Sequence, residues 1–131
     1  MGAHAIKQNK KIIHYTLELN AAYTGMRYDA ILSGISFQNL KYHTEEIKDV
    51  VDKYKNSLII KQYPTTIASV NTLYAHIKRA DVFKFKPDLI IVDYADLLTT
   101  KIRRGHENSY FESGTIYEEL RGLAGEMEIP I

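Results

Sequence analysis

An α/β fold with a parallel sheet flanked by helices is predicted for this chain, and three observations carry the prediction. Segments with helical apolar spacing alternate with short runs rich in β-branched and aromatic residues. No Asn-Gly or Asp-Gly pair occurs to close a hairpin, so successive strands are expected to be joined through helices and to run parallel. The run Lys86-Pro87-Asp88-Leu89-Ile90-Ile91-Val92-Asp93 is the most explicit strand: Pro87 cannot continue a helix, and the apolar residues after Asp88 read as a strand covered on both faces.

Taken in order, residues 2–10 read as the last turns of a helix, ending near Gln8-Asn9-Lys10. Lys11 to Leu17 alternates loosely, is rich in β-formers and ends on Glu18, which predicts a strand. Asn20 is an N-cap candidate, Tyr23, Met26, Arg27, Ala30 and Ile31 recur at helical spacing, and Gly34 closes that helix. A helix over 37–55 is expected to turn Ile47, Val50, Val51 and Tyr54 inward. Leu58-Ile59-Ile60 is a short strand, and Tyr63-Pro64-Thr65-Thr66 turns the chain and caps a helix whose buried side is Ile67, Val70, Tyr74 and Ile77. After the Asp93 strand comes a polar loop, Thr99 to Asn108. A last helix over about 110–127 then places Ile116, Leu120, Leu123 and Met127 on one face, and Ile129-Pro130-Ile131 resembles the start of another strand.

Composition narrows the function classes. With 131 residues, 45% hydrophobic and 25% charged, the chain has the size of one small domain able to bury a core. A net charge of +1 provides no bulk attraction to nucleic acid, so any basic site is local. The absence of cysteine excludes disulfides and thiolate metal sites and fits a reducing, cytoplasmic setting. The five histidines lack zinc-site spacing, and neither a Gly-x-Ser-x-Gly elbow nor a cysteine nucleophile supports acyl transfer.

The chemistry-bearing positions are acids at strand ends. Four apolar residues followed by Asp93 form a Walker B-like pattern, and a carboxylate at the carboxyl end of a parallel strand stands on the rim where open α/β sheets bind ligands. Glu18 ends a second strand. Asp96, past the strand end, reads as a turn acid.

With these acids placed, the chain resembles the RecA-like ATPase domain of DnaB-type hexameric replicative DNA helicases, in particular those of T-even-like phages. Three stretches carry the resemblance: Ile13 to Leu19 followed by Met26-Arg27; Leu89 to Leu98 with its Asp93-Tyr94 pair; and Glu107 to Tyr110 followed by Glu118 to Ala124. The resemblance implies that Asp93 holds magnesium beside ATP, that Glu18 directs the attacking water, and that Arg27 faces the phosphates or braces Glu18. It points Lys101, Arg103 and Arg104 toward single-stranded DNA, while Tyr110 and Phe111 are open to base stacking or core packing. It further implies a homo-hexamer moving 5′ to 3′, with primase and a helicase loader as partners, in a bacterial host if phage-encoded.

The chain departs from that family in having no GxxxxGK[ST] phosphate loop. The resemblance puts that loop before Met1, and the sensor glutamine and arginine finger after Ile131, so a RecA-like core fragment truncated at both ends is expected. It should bind little ATP alone and should expose the Asp93 strand as an apolar edge. The alternative is a flavodoxin-like receiver or interaction module with Asp93 as phosphoacceptor. A recombinase or clock-type RecA relative is a third reading.

Overall fold

The computed structural model describes residues 1–65, 67–100 and 109–131, with side chains throughout except at 109–113. Its elements are α1 (Gly2–Lys7), β1 (Ile12–Thr16), α2 (Ala21–Ser33), α3 (Thr44–Tyr54), β2 (Leu58–Gln62), α4 (Val70–Val82), β3 (Leu89–Asp93) and α5 (Ser109–Met127), with 3-10 turns at Phe37–Tyr42 and Ala95–Leu97. The sheet is parallel, as predicted, in the order β2-β1-β3.

Alternation along β1 divides the interior. Ile13 and Tyr15 face α4 and α5 in a core with Leu73, Ile77, Ile90, Ile116, Leu120 and Leu123. Ile12 faces the other way, packing with Ala3 and Ile6 of α1, Tyr28 of α2, and Leu89 and Ile91 of β3. The sheet is therefore sandwiched between helices. Removing a side chain such as that of Leu73, which is fully buried, would destabilise the fold by about 2–5 kcal/mol.

The position of β3 corrects the sequence reading. Its side chains do reach both cores, but of its four apolar residues only Ile90 is buried. The more deeply buried strand is β1, where every residue but the half-buried His14 is buried and which has a partner on each side. Along the outer edge of β3 the Ile90 N–H donates to Pro130 O at 2.9 Å. The 129–131 segment thus supplies one sheet-like hydrogen bond without forming the expected strand, and Ile129 packs into the core.

The helices differ from expectation in detail. Asn20 caps α2 through its side chain, accepting from Ala22 N, and Gly34 ends it at φ 76°, in the left-handed region that only glycine adopts freely. However, α2 buries Thr24 and Tyr28, leaving Tyr23, Met26 and Ile31 exposed. The 37–55 helix is two pieces joined at His43; Ile47, Val50 and Tyr54 are half-buried and Val51 is exposed, because α3 packs on α2 and the preceding 3-10 turn rather than on the sheet.

Helix α4 is capped by Ser69, in a capping box with Thr72, rather than by the 63–66 turn. Ile67 lies outside that helix and is exposed, Tyr74 is half-buried, and Leu73 and Ala80 complete the buried face; Thr66 is not among the described residues. Gly2 marks a close approach, since a Cβ there would collide with the Tyr28 hydroxyl and sit 2.9 Å from Ile91 Cδ1.

Candidate active site

One end of the sheet carries Asp93 at the last position of β3 and Glu18 two residues past the end of β1. Thr16 of β1 pairs with Asp93 of β3, and the Leu17 N–H donates to Asp93 O at 2.8 Å. Glu18 is therefore carried one residue beyond a backbone hydrogen bond to Asp93 itself. The same end receives Tyr63, whose N–H donates to Thr16 O.

The turn that presents Glu18 is built by side chains that the sequence reading passed over. The buried Thr16 hydroxyl donates to Leu19 O at 2.7 Å and accepts from Leu19 N at 3.1 Å, closing residues 16–19 into a tight loop. Thr65 adds a hydrogen bond from its hydroxyl to Leu17 O. Glu18 itself is exposed and forms no hydrogen bond or ion pair with another described residue. The turn is thus anchored by three hydrogen bonds, with the Glu18 carboxylate unengaged among the described residues.

Asp93 is 45% exposed, and its carboxylate accepts no hydrogen bond among the described residues. It borders an open cavity of about 240 Å³, lined also by His14, Leu19, Thr24, Arg27 and Tyr28. Arg27 is exposed, its guanidinium 5.0 Å from the centre of the Tyr23 ring, and it pairs with neither Glu18 nor Asp93. Arg27 stands on the cavity wall. Asp96 lies in the exposed turn after Tyr94, consistent with a turn acid.

His14 is the other residue that sequence reasoning missed, and its signal was a lone histidine inside an otherwise apolar strand. Its Nδ1 is 2.9 Å from the Tyr28 hydroxyl, its Nε2 is 4.0 Å from Asp93 Oδ2, and that Nε2 is buried without a hydrogen-bond partner. Burial lowers the His14 pKa, opposed by the nearby Asp93 charge, whereas burial pushes the Tyr28 phenol up to about 12. A neutral imidazole and a protonated phenol thus share one hydrogen bond.

A half-exposed carboxylate that accepts no hydrogen bond from the described residues, with His14 Nε2 4.0 Å away and opening on a cavity with an arginine on its wall, is a hard oxygen donor of the kind magnesium takes when substrate phosphates and water complete its shell. The residues present fit such an ion. Lys101, Arg103 and Arg104, and the side chains of Tyr110 and Phe111, lie outside what the structure describes. Among the described residues no helix is long and apolar enough to cross a membrane.

Known proteins share this fold. The chain is 30% identical over 138 aligned residues to the DnaB-like replicative helicase of Enterobacteria phage T4, an alignment that covers 98% of the chain and 29% of that relative. Its fold matches a solved ATPase domain at a TM-score of 0.72 and 17% identity, over 98% of this chain and 50% of that one. It also matches a DnaB-like replicative helicase, solved to study its interactions with primase, at a TM-score of 0.74 and 17% identity, over 99% of this chain and 35% of that one. The chain thus spans half or less of the length of each of these relatives, and the flavodoxin-like reading has no support. A family model, the DnaB-like helicase C-terminal domain, matches residues 1–131, and the chain belongs to that family.

Proposed function

We propose that this chain is the central segment of an ATP-dependent replicative helicase motor, with the ATP-hydrolysing acids Glu18 and Asp93 on its sheet rim. The observation that carries the reading is the pairing of Thr16 with Asp93, which brings the two acids to neighbouring strand ends. An in-line phosphoryl transfer needs such an arrangement, because metal and water act on different sides of one phosphorus.

Asp93 would hold magnesium through one carboxylate oxygen, directly or through water. The ion, when bound, would neutralise charge on the phosphates. Glu18, unpaired and on a braced turn, would orient the attacking water and accept its proton, and Arg27 on the cavity wall is available to phosphate oxygens. The phosphate loop, sensor glutamine and arginine finger would come from elsewhere in a longer protein, as the 29% coverage of the phage relative suggests.

Assembly as a homo-hexamer, 5′ to 3′ movement on single-stranded DNA through Lys101, Arg103 and Arg104, contact with primase and a loader, and action in the cytoplasm of a bacterial host belong to the same proposal. Its test is Glu18→Gln in the longer protein. Nucleotide binding should persist while hydrolysis falls about 10²–10⁴-fold, the range for removing a general base. Unchanged hydrolysis would take Glu18 out of the mechanism.

A further inference from the structure

Resting on the reading of Asp93 as a metal ligand, we propose that His14 is a positioning residue for that carboxylate, locked by Tyr28 into the tautomer that aims an Nε2–H at Asp93. In the sheet register His14 pairs with Ile91 and Thr16 with Asp93, so the histidine and the acid are diagonal neighbours on the same sheet face.

The Tyr28 hydroxyl is within 2.9 Å of His14 Nδ1, is buried, and has no other hydrogen-bond partner among the described residues. A buried O–H needs an acceptor, and Nδ1 is the one within reach. When Nδ1 accepts, the neutral ring carries its proton on Nε2. The opposite tautomer would turn an Nε2 lone pair toward the carboxylate 4.0 Å away and leave the phenol proton without an acceptor, so both neighbours select the same form.

The distance of 4.0 Å is too long for a hydrogen bond, and Nε2 is buried without a partner. Rotation of the half-exposed Asp93 side chain, or one bridging water, would close the gap and hold one carboxylate oxygen on the histidine, leaving the second oxygen to serve as the metal ligand when the ion is bound. Hydrogen bonds of this kind to a ligating carboxylate typically change metal affinity about 10–100-fold when removed.

The test is NMR on this chain, labelled with ¹⁵N at histidine and ¹³C at aspartate carboxyls, with Mn²⁺ and inorganic triphosphate added together as the probe. His14 is expected in the Nε2–H tautomer; Tyr28→Phe, which keeps the ring and removes the donor, should shift it to a mixture. His14→Phe should weaken Mn²⁺ broadening of the Asp93 carboxyl about 10-fold, and His14→Gln, whose amide nitrogen can take the place of Nε2, should restore it to within about two-fold. An Nδ1–H tautomer in the unaltered chain, or full Mn²⁺ affinity in His14→Phe, overturns the proposal. Asp93→Asn separates the two ideas. Mn²⁺ broadening of the His14 ring signals that survives it, or that is absent from the unaltered chain with triphosphate present, overturns Asp93 as a ligand and this proposal with it. Loss in Asp93→Asn beside full affinity in His14→Phe overturns the histidine's role alone.

Discussion

Asp88 and Asp93 flank the apolar run of one strand, yet the chain treats them in opposite ways. At the amino end, Asp88 accepts the Lys11 N–H at 2.8 Å and pairs with Lys10 Nζ at 3.5 Å. The Lys11 hydrogen bond, aided by Lys10, holds its carboxyl below the usual aspartate value. At the carboxyl end, Asp93 accepts no hydrogen bond from the described residues and opens on a cavity. An acid hydrogen-bonded to the backbone ties β3 to the start of β1; an acid that accepts no hydrogen bond from the described residues has charge and lone pairs to offer a ligand.

The sharpest way to break this contrast is to neutralise each acid in turn. Asp93→Asn in the longer protein should lower ATP hydrolysis by at least about 10²-fold and leave unfolding free energy within about 0.5 kcal/mol of the parent, since a half-exposed acid that accepts no hydrogen bond from the described residues does little for stability. A stability loss of several kcal/mol, read by urea unfolding, would make Asp93 a structural acid like Asp88.

Thr16→Val tests whether the braced turn matters. The methyl replaces a hydroxyl that both donates to and accepts from Leu19, and a loss of about 1–2 kcal/mol is expected with about 10-fold slower hydrolysis. Hydrolysis at the parent rate would separate the turn from the chemistry. Asp88→Ala should do the reverse of Asp93→Asn, removing about 0.5–1 kcal/mol, after allowance for solvent screening, with no effect on hydrolysis.

Acid titration gives the smallest effects. Because the folded-state pKa of Asp88 is depressed, its contribution is present above the ordinary value of 3.8 and disappears as pH falls through the folded value. The difference between parent and Asp88→Ala should shrink below pH 3.8 and vanish in stronger acid. His14 and His76 act at higher pH: burial lowers both, with Lys61 and Arg79 adding to the effect at His76. The unfolded chain therefore takes up protons first, and stability should fall slightly as pH drops below 6.5. A flat profile from about pH 7 to 5 in urea unfolding would contradict this.

The contrast also shows why the rim was legible in the sequence and its lining was not. Asp93 announced itself because Leu89 to Val92 is an apolar run that stops at an acid, and Glu18 because it follows a β-forming stretch; both are local patterns. Thr16, His14 and Tyr28 carry no local mark beyond a polar side chain in a strand or helix. Their roles come from Leu19 three residues on, from Asp93 across the sheet and from a helix packed over it. The stripe assigned to α2 failed for a related reason: periodicity finds an apolar face, but α2 meets the sheet through Thr24 and Tyr28.

The sequence by itself determined the alternation of helices and parallel strands, the caps at Asn20 and Gly34, and the strand that ends at Asp93, whereas β1 stops at Thr16, two residues short of Glu18; turn chemistry and side-chain period act between residues only a few positions apart. Only the tertiary structure decided that β1 lies between β2 and β3, that Thr16 is level with Asp93, and that a histidine and a tyrosine from two elements converge behind that acid. Strand order and register depend on which distant segments pair, and that choice is made by burial and backbone hydrogen bonds across the whole sheet rather than by any single stretch of chain.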